Sequence, residues 1–324
     1  DMTLRAASAE LLQGAQLRAG GQGDIQVSGN LTNIGQLSAA GDLRLKSASL
    51  ANLGTLGAAQ ALRIEAPSIV NWGGLIFSGA EMELRGDSLT NLNGDIFSLD
   101  TLSIAKDDTL AQMILLENRS GSIESSSDMT LRAASLINRK ETFTLGRTQT
   151  SGHISIVCYD CGGDHHNVDY VATERFETQV SEDSAASRIH SGGNLNIRGG
   201  AIANRYSSLS ATGNIDIVGA SLENTGAASG IIERVRRFNT GRITDGTDER
   251  FRDAYIYPYN ALSTPQEAPS ALYRWNLTSD IETLTPTGVG AAAVIQAGGN
   301  VSINATQSIT NASVLMYQAP LSDS

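Results

Sequence analysis

Aromatic residues make up only 5% of the 324 residues, which is thin for one globular core of this size. Leu, Ile, Val and Ala must then fill the interior, as they do in stacked repeats. Cysteine is nearly absent: Cys158 and Cys161 are the only two. Such scarcity suits a secreted protein that must stay unfolded during export. A basic excess is also missing. The net charge of −11 argues against a nucleic-acid partner, whose phosphate backbone needs a cationic footprint. No run of eighteen apolar residues occurs, so no segment reads as a membrane-spanning helix. A signal peptide is lacking too. The chain opens mid-pattern instead: Asp1-Met2-Thr3-Leu4-Arg5-Ala6-Ala7-Ser8 recurs identically from Asp128 to Ser135. That reads as a fragment of a longer protein, with any leader upstream.

What is present is a repeat of about twenty residues. One phrase ends each time in asparagine: Leu31-Thr32-Asn33, Leu50-Ala51-Asn52, Ile69-Val70-Asn71 and Leu89-Thr90-Asn91. It returns at Asn118, Asn138, Asn204, Asn224 and Asn311, and Leu11-Leu12-Gln13 holds the same phase in the first copy. About nine residues earlier lies an alternating phrase, as in Asp42-Leu43-Arg44-Leu45, Ala61-Leu62-Arg63-Ile64 and Asn194-Leu195-Asn196-Ile197. A period of two means a strand with one buried face. A third short strand follows the asparagine, as in Gly35-Gln36-Leu37-Ser38. Three strands and three turns in twenty residues make one coil of a parallel β-helix. Coils stack roughly 4.8 Å apart, so an amide at one turn can donate to one neighbour and accept from the other. A lone buried amide would cost roughly 1–3 kcal/mol. Turn preference alone would also favour asparagine, but nine copies in phase favour a ladder.

Units such as Gly41-Asp42-Leu43-Arg44-Leu45 leading to Ser49-Leu50-Ala51-Asn52, and Gly193-Asn194-Leu195-Asn196-Ile197 leading to Ala201-Ile202-Ala203-Asn204, resemble the filamentous haemagglutinin repeat. The resemblance covers residues 1–142, 191–226 and 298–314. It implies an all-β fold, a right-handed parallel β-helix of about ten coils. It also implies a rod on a Gram-negative cell surface, exported by an outer-membrane two-partner secretion transporter. Adhesins and contact-dependent growth inhibition effectors share this repeat.

Function is sought where the pattern breaks. The interval from Asn91 to Asn118 is too long, and a small loop is expected near Lys106-Asp107-Asp108. Residues 143–190 hold both cysteines and all four histidines and read as an extruded β-hairpin, with Cys158-Tyr159-Asp160-Cys161 at its tip. A clamping disulfide is the favoured reading there. A zinc set with His165 and His166, and free thiols, are the alternatives. Residues 227–297 concentrate aromatics, prolines and arginines, the residue types that anchor interfaces. Arg234, Arg236, Arg237, Phe238, Arg250, Phe251, Tyr255, Tyr257, Tyr259, Tyr273 and Trp275 are the candidate recognition residues. Tyr255, Tyr257 and Tyr259 would share one face of an extended stretch. A final coil and end would occupy 298–324.

These features lead to a non-catalytic, monomeric stalk and receptor-recognition segment of a contact-dependent inhibition exoprotein. Its partner would be an outer-membrane protein or surface glycan of a target cell. A host-directed adhesin is the alternative. A polysaccharide-acting β-helix enzyme ranks last, because Asp42, Glu81 and Asp216 sit on separate coils without convergent partners. A calcium repeat is hinted at only once, at Gly20-Gly21-Gln22-Gly23-Asp24. No cofactor or resident metal is expected.

Overall fold

A computed structural model describes residues 1–314. The chain divides into two compact units. The first comprises Asp1–Phe143, Asp183–Ala227 and Ala291–Val314, and the second comprises Thr144–Glu182 and Ala228–Gly290.

The first unit is a right-handed parallel β-helix. One coil runs through Leu43–Lys46, Ser49–Asn52 and Thr55–Ala58, and the next through Leu62–Glu65, Ser68–Trp72 and Leu75–Ser78. Each strand pairs in parallel with its counterpart one coil away, so like residues stack: Leu43, Leu62 and Met82 in one file, Leu56, Ile76 and Ile96 in another. The alternation explains why. Every second side chain points inward, and the inward files of Leu, Ile and Met are almost wholly buried. Ten coils are present among the described residues, and nine strands stack on the third face.

The asparagines occupy one file, buried from Asn33 to Asn224. Asn33 Nδ2 donates to Asn52 Oδ1 at 2.8 Å, and the bond repeats through Asn71, Asn91, Asn118, Asn138, Asn204, Asn224 and Asn311 at 2.7–2.9 Å. Each Nδ2 from Asn71 to Asn204 also reaches a backbone carbonyl, as Asn91 does to Gly94 at 2.8 Å. In several coils glycine stands where the amide crosses the turn: a Cβ on Gly94 would lie 2.5 Å from Asn71 Nδ2. The first coil departs from its expected phase. Leu11, not Gln13, faces Asn33, because the chain turns away at Gly14 with φ of +81°. Leucine cannot donate, so Asn33 Oδ1 is buried without a partner.

The long interval after Asn91 is a turn held by Asp107, whose Oδ1 accepts from the Thr109 amide at 3.0 Å and the Ala111 amide at 3.3 Å. Asp108 then takes Arg63 Nη2 at 2.8 Å and Arg85 Nε at 3.3 Å, tying the turn across two coils. Two of the three acids weighed as catalytic candidates are engaged by neighbouring coils: Asp216 pairs with Arg198, and Asp42 accepts the Ala61 amide.

The solenoid resumes earlier than the repeat phrases indicate. Arg188–Ser191 and Val294–Ala297 pair on the third face with Ser122–Ser125 and Ser208–Ala211. His190 therefore belongs to a coil, with Nδ1 2.9 Å from Ser210 Oγ, and not to the hairpin. Those strands lack the asparagine phrase, so the repeat did not mark them. Of the expected end at 298–324, residues 315–324 lie outside the described residues.

Candidate functional site

The two interruptions fold together as the second unit. Strands Phe143–Asp160 and His165–Asp183 run antiparallel, as the side-chain bonds from Ser155 to Val171, Thr150 to Arg175 and Ser181 to Thr144 require. His165–Asp183 pairs on its other edge with the far part of Ile215–Thr244, from His165 opposite Thr244 to Glu177 opposite Ile231, with an irregularity between Asn167 and Asp169. Asn276–Ala291 follows the same strand, with Thr278 Oγ1 donating to Arg237 O at 3.2 Å.

The segment between these last two strands was expected to be a loop, with an extended stretch around Tyr255–Tyr259. It is helical instead: an α-helix at Asp245–Phe251, a π-turn at Arg252–Ile256, a further α-turn at Tyr257–Asn260 and a 3₁₀ turn at Ser270–Arg274. Helical spacing replaces alternation with a 3.6-residue period, so Tyr255, Tyr257 and Tyr259 do not share a face. Tyr259 is buried, whereas Tyr257 is 51% exposed and Tyr255 39%. The buried side of this segment carries Phe251, Ile256, Tyr259, Ala268 and Leu272. They pack on Ile154, Val168, Tyr170, Ala172 and Phe238 from the strands. Phe251 stacks on Tyr170 at 5.1 Å and meets Trp275 edge-on at 5.3 Å.

Four arginines of this stretch, Arg234, Arg236, Arg237 and Arg252, are matched with acids of the same unit. Arg234 forks onto Asp280 at 2.8 and 2.6 Å. Arg236, 5% exposed, meets Glu174 at 2.5 Å and Tyr273 OH at 2.7 Å, while the Ala268 amide donates to Glu174 at 2.8 Å. Arg237 Nη1 lies 2.8 Å from Asp169, which also accepts from Tyr159 OH at 2.6 Å and Asn239 at 2.7 Å.

Asp248 is the most heavily bonded. Fully buried, it accepts from Arg252 Nε at 2.7 Å, pairs with His166 Nδ1 at 2.7 Å and takes the Tyr170 hydroxyl. Burial works against its charge, but the bonds from Arg252, Tyr170 and His166 outweigh burial and hold its pKa below the usual carboxylate value. Burial, then the Asp248 carboxylate, pushes the Tyr170 hydroxyl far up. Asp169 is likewise held down: burial opposes, and Arg237, Tyr159 and Asn239 win.

At the hairpin tip a disulfide joins Cys158 and Cys161, whose Cα atoms are 6.1 Å apart. Cys161 Sγ, a His166 ring nitrogen and an Asp248 oxygen all lie within 4.8 Å of one another, a donor set of metal-binding type. In this form the sulfur is spent in the disulfide, and Asp248 is already bonded to His166 and faces the Arg252 guanidinium.

Of the expected recognition residues, Arg236, Phe238, Phe251 and Tyr259 are buried, and Arg234, Arg237 and Trp275 are partly covered. They hold the unit together rather than face outward. Arg250, Tyr255, Tyr257 and Tyr273 are exposed. Among the described residues Tyr159 is the most exposed tyrosine, at 59%, and sequence reasoning passed over it because it sat inside the cysteine motif.

The haemagglutinin-repeat family model matches residues 3–56, 43–111, 115–155, 167–248 and 274–316. The chain belongs to the haemagglutinin-repeat family. Curated relatives include the tRNA nuclease CdiA of Yersinia mollaretii, 28% identical across 97% of this chain. The tRNA nuclease CdiA of Escherichia coli O6:K15:H31 is 25% identical across 76%, and the deoxyribonuclease CdiA of Dickeya dadantii 22% across 95%. This chain spans only 9–11% of those relatives' lengths. No solved structure matches. The chain is of the CdiA and filamentous haemagglutinin type, a secreted or cell-surface protein of Gram-negative bacteria. Among the described residues no helix is long and apolar enough to cross a membrane.

Proposed function

We propose that this chain is a non-catalytic stalk and receptor-recognition segment of a CdiA-like exoprotein. The coils supply the rod, and the unit of residues 144–182 and 228–290 binds an outer-membrane protein or surface glycan of a neighbouring bacterium. Toxin delivery would then be the work of parts of the exoprotein outside this chain, and export that of an outer-membrane transporter. The chain acts as a monomer.

The observation that carries this reading is the contrast between the two units. The coils repeat one buried pattern with little to distinguish them. The inserted unit has its own core, closes Arg234, Arg236, Arg237 and Arg252 onto its own acids, and leaves Tyr159, Tyr255, Tyr257 and Tyr273 exposed. Exposed tyrosines on a rigid support are the usual anchors of recognition. A catalytic role is disfavoured because the buried acids Asp169, Glu174 and Asp248 are each neutralised by an arginine.

The test is binding of the purified chain to outer-membrane vesicles from sensitive bacteria. The double variant Tyr257→Ala and Tyr273→Ala should bind at least tenfold more weakly, while Trp72→Ala on the coils should bind as the parent does. Equal binding by the double variant would refute the assignment. Binding confined to epithelial cells would favour the adhesin reading instead.

A further inference from the structure

We propose that the Cys158–Cys161 disulfide is a thiol-exchange site at which an incoming thiolate attacks Cys158 and Cys161 leaves. The two sulfurs are not equivalent. Cys158 is exposed, at the end of the strand Phe143–Asp160. Cys161 is partly buried against the cluster formed by Ile154, Tyr170 and Phe251, and lies within 4.8 Å of His166 and Asp248. Access selects the sulfur that is attacked, and the surroundings of the other decide how well it leaves. His166 lies beside the leaving sulfur, and a ring N–H not engaged by Asp248 can give that sulfur a hydrogen bond.

The reaction balances without an oxidant. A thiolate R–S⁻ forms a bond to Cys158 Sγ, the Cys158–Cys161 bond breaks, and its electron pair leaves on Cys161, which then takes a proton. The product is a mixed disulfide at Cys158 and a thiol at Cys161. The co-reactant is any accessible thiol, either a small one or an exposed cysteine of a protein partner. Breaking the bond frees only the two-residue tip Tyr159-Asp160, because His165–Asp183 remains paired to the strand ending at Thr244. The unit thus has the means to turn a contact into a covalent attachment, whether or not the receptor reading above is correct.

The experiment uses the whole chain, purified without reductant and incubated with millimolar cysteamine. Free thiols are then blocked with N-ethylmaleimide and the products mapped by peptide mass. The expected product carries cysteamine on Cys158 and the blocking group on Cys161, at least tenfold over the reverse. An even split, or no adduct in the folded chain when the urea-unfolded chain reacts, would overturn the proposal. In His166→Gln the adduct should stay on Cys158 but form about tenfold more slowly. An unchanged rate would remove His166 from the step. Hydrogen exchange of the His165–Asp183 amides, run alongside, shows whether that variant keeps its fold.

Discussion

Replacing Asn91 by alanine should cost the solenoid about 2 kcal/mol, and the number follows from counting partners. Asn91 Nδ2 donates to Asn118 Oδ1, Gly94 O and Ser122 O. Gly94 O keeps the Ser122 amide at 3.0 Å. Asn71 Nδ2 loses Asn91 Oδ1 but keeps the carbonyls of Gly74 and Asp95. One buried atom is newly orphaned, Asn118 Oδ1, at roughly 1–3 kcal/mol, and the lost packing adds a little more. Asn33→Ala is the control. It orphans Asn52 Oδ1 but removes Asn33 Oδ1, which already lacks a partner, so the tally of orphans stays the same. Alanine at 33 should therefore cost only the packing. The assay is native-state hydrogen exchange followed by mass spectrometry. Amides of Ser88–Leu92 and Met113–Arg119 should exchange about 30-fold faster in Asn91→Ala, since each 1.4 kcal/mol is a factor of ten. Equal losses for the two variants would refute the ladder account. It would mean that asparagine serves only the turn.

Three further outcomes concern the inserted unit. Asp248→Asn leaves Arg252 facing no charge in a buried site and should destabilise the unit by roughly 3 kcal/mol, read from its urea midpoint by Trp275 fluorescence in a Trp72→Phe background. Acid should act in the same direction. Asp169 and Asp248 titrate below their ordinary value of 3.8 when folded, so their contribution is fully present above that value and is lost as pH falls through the depressed one. The urea midpoint should hold between pH 7 and 5 and drop by pH 3; a flat or rising midpoint would contradict the pairing. Phe251→Ala should expose Tyr170 and Trp275 and cost roughly 3–5 kcal/mol in the same assay, while Tyr257→Ala should cost less than 1.

The coils were legible because one short phrase carries their whole physics. Alternation fixes the inward files, and the asparagine fixes the register between coils. The coils containing Arg188–Ser191 and Val294–Ala297 were misplaced because they enter the stack by their third strand, which has no asparagine to announce it. The fusion of the two interruptions into one unit was not legible. Its pairing joins Glu177 to Ile231 and Ala268 to Glu174, and no local pattern encodes contacts between segments so far apart in the chain.

The same distance explains why arginine richness misled. Arg234, Arg236 and Arg237 find their acids 46, 62 and 68 residues away. In the sequence they look like a cationic cluster awaiting a partner. In the fold each is bound by a carboxylate that the cluster itself does not contain. The near balance of acids and arginines within 227–297 was the better signal, because a segment that meets an acidic partner through arginines should carry unmatched positive charge. What remains to recognise a partner is then chiefly aromatic surface. Salt should accordingly weaken receptor binding little: a tenfold loss between 50 and 500 mM sodium chloride would mean that the arginine pairs open on binding.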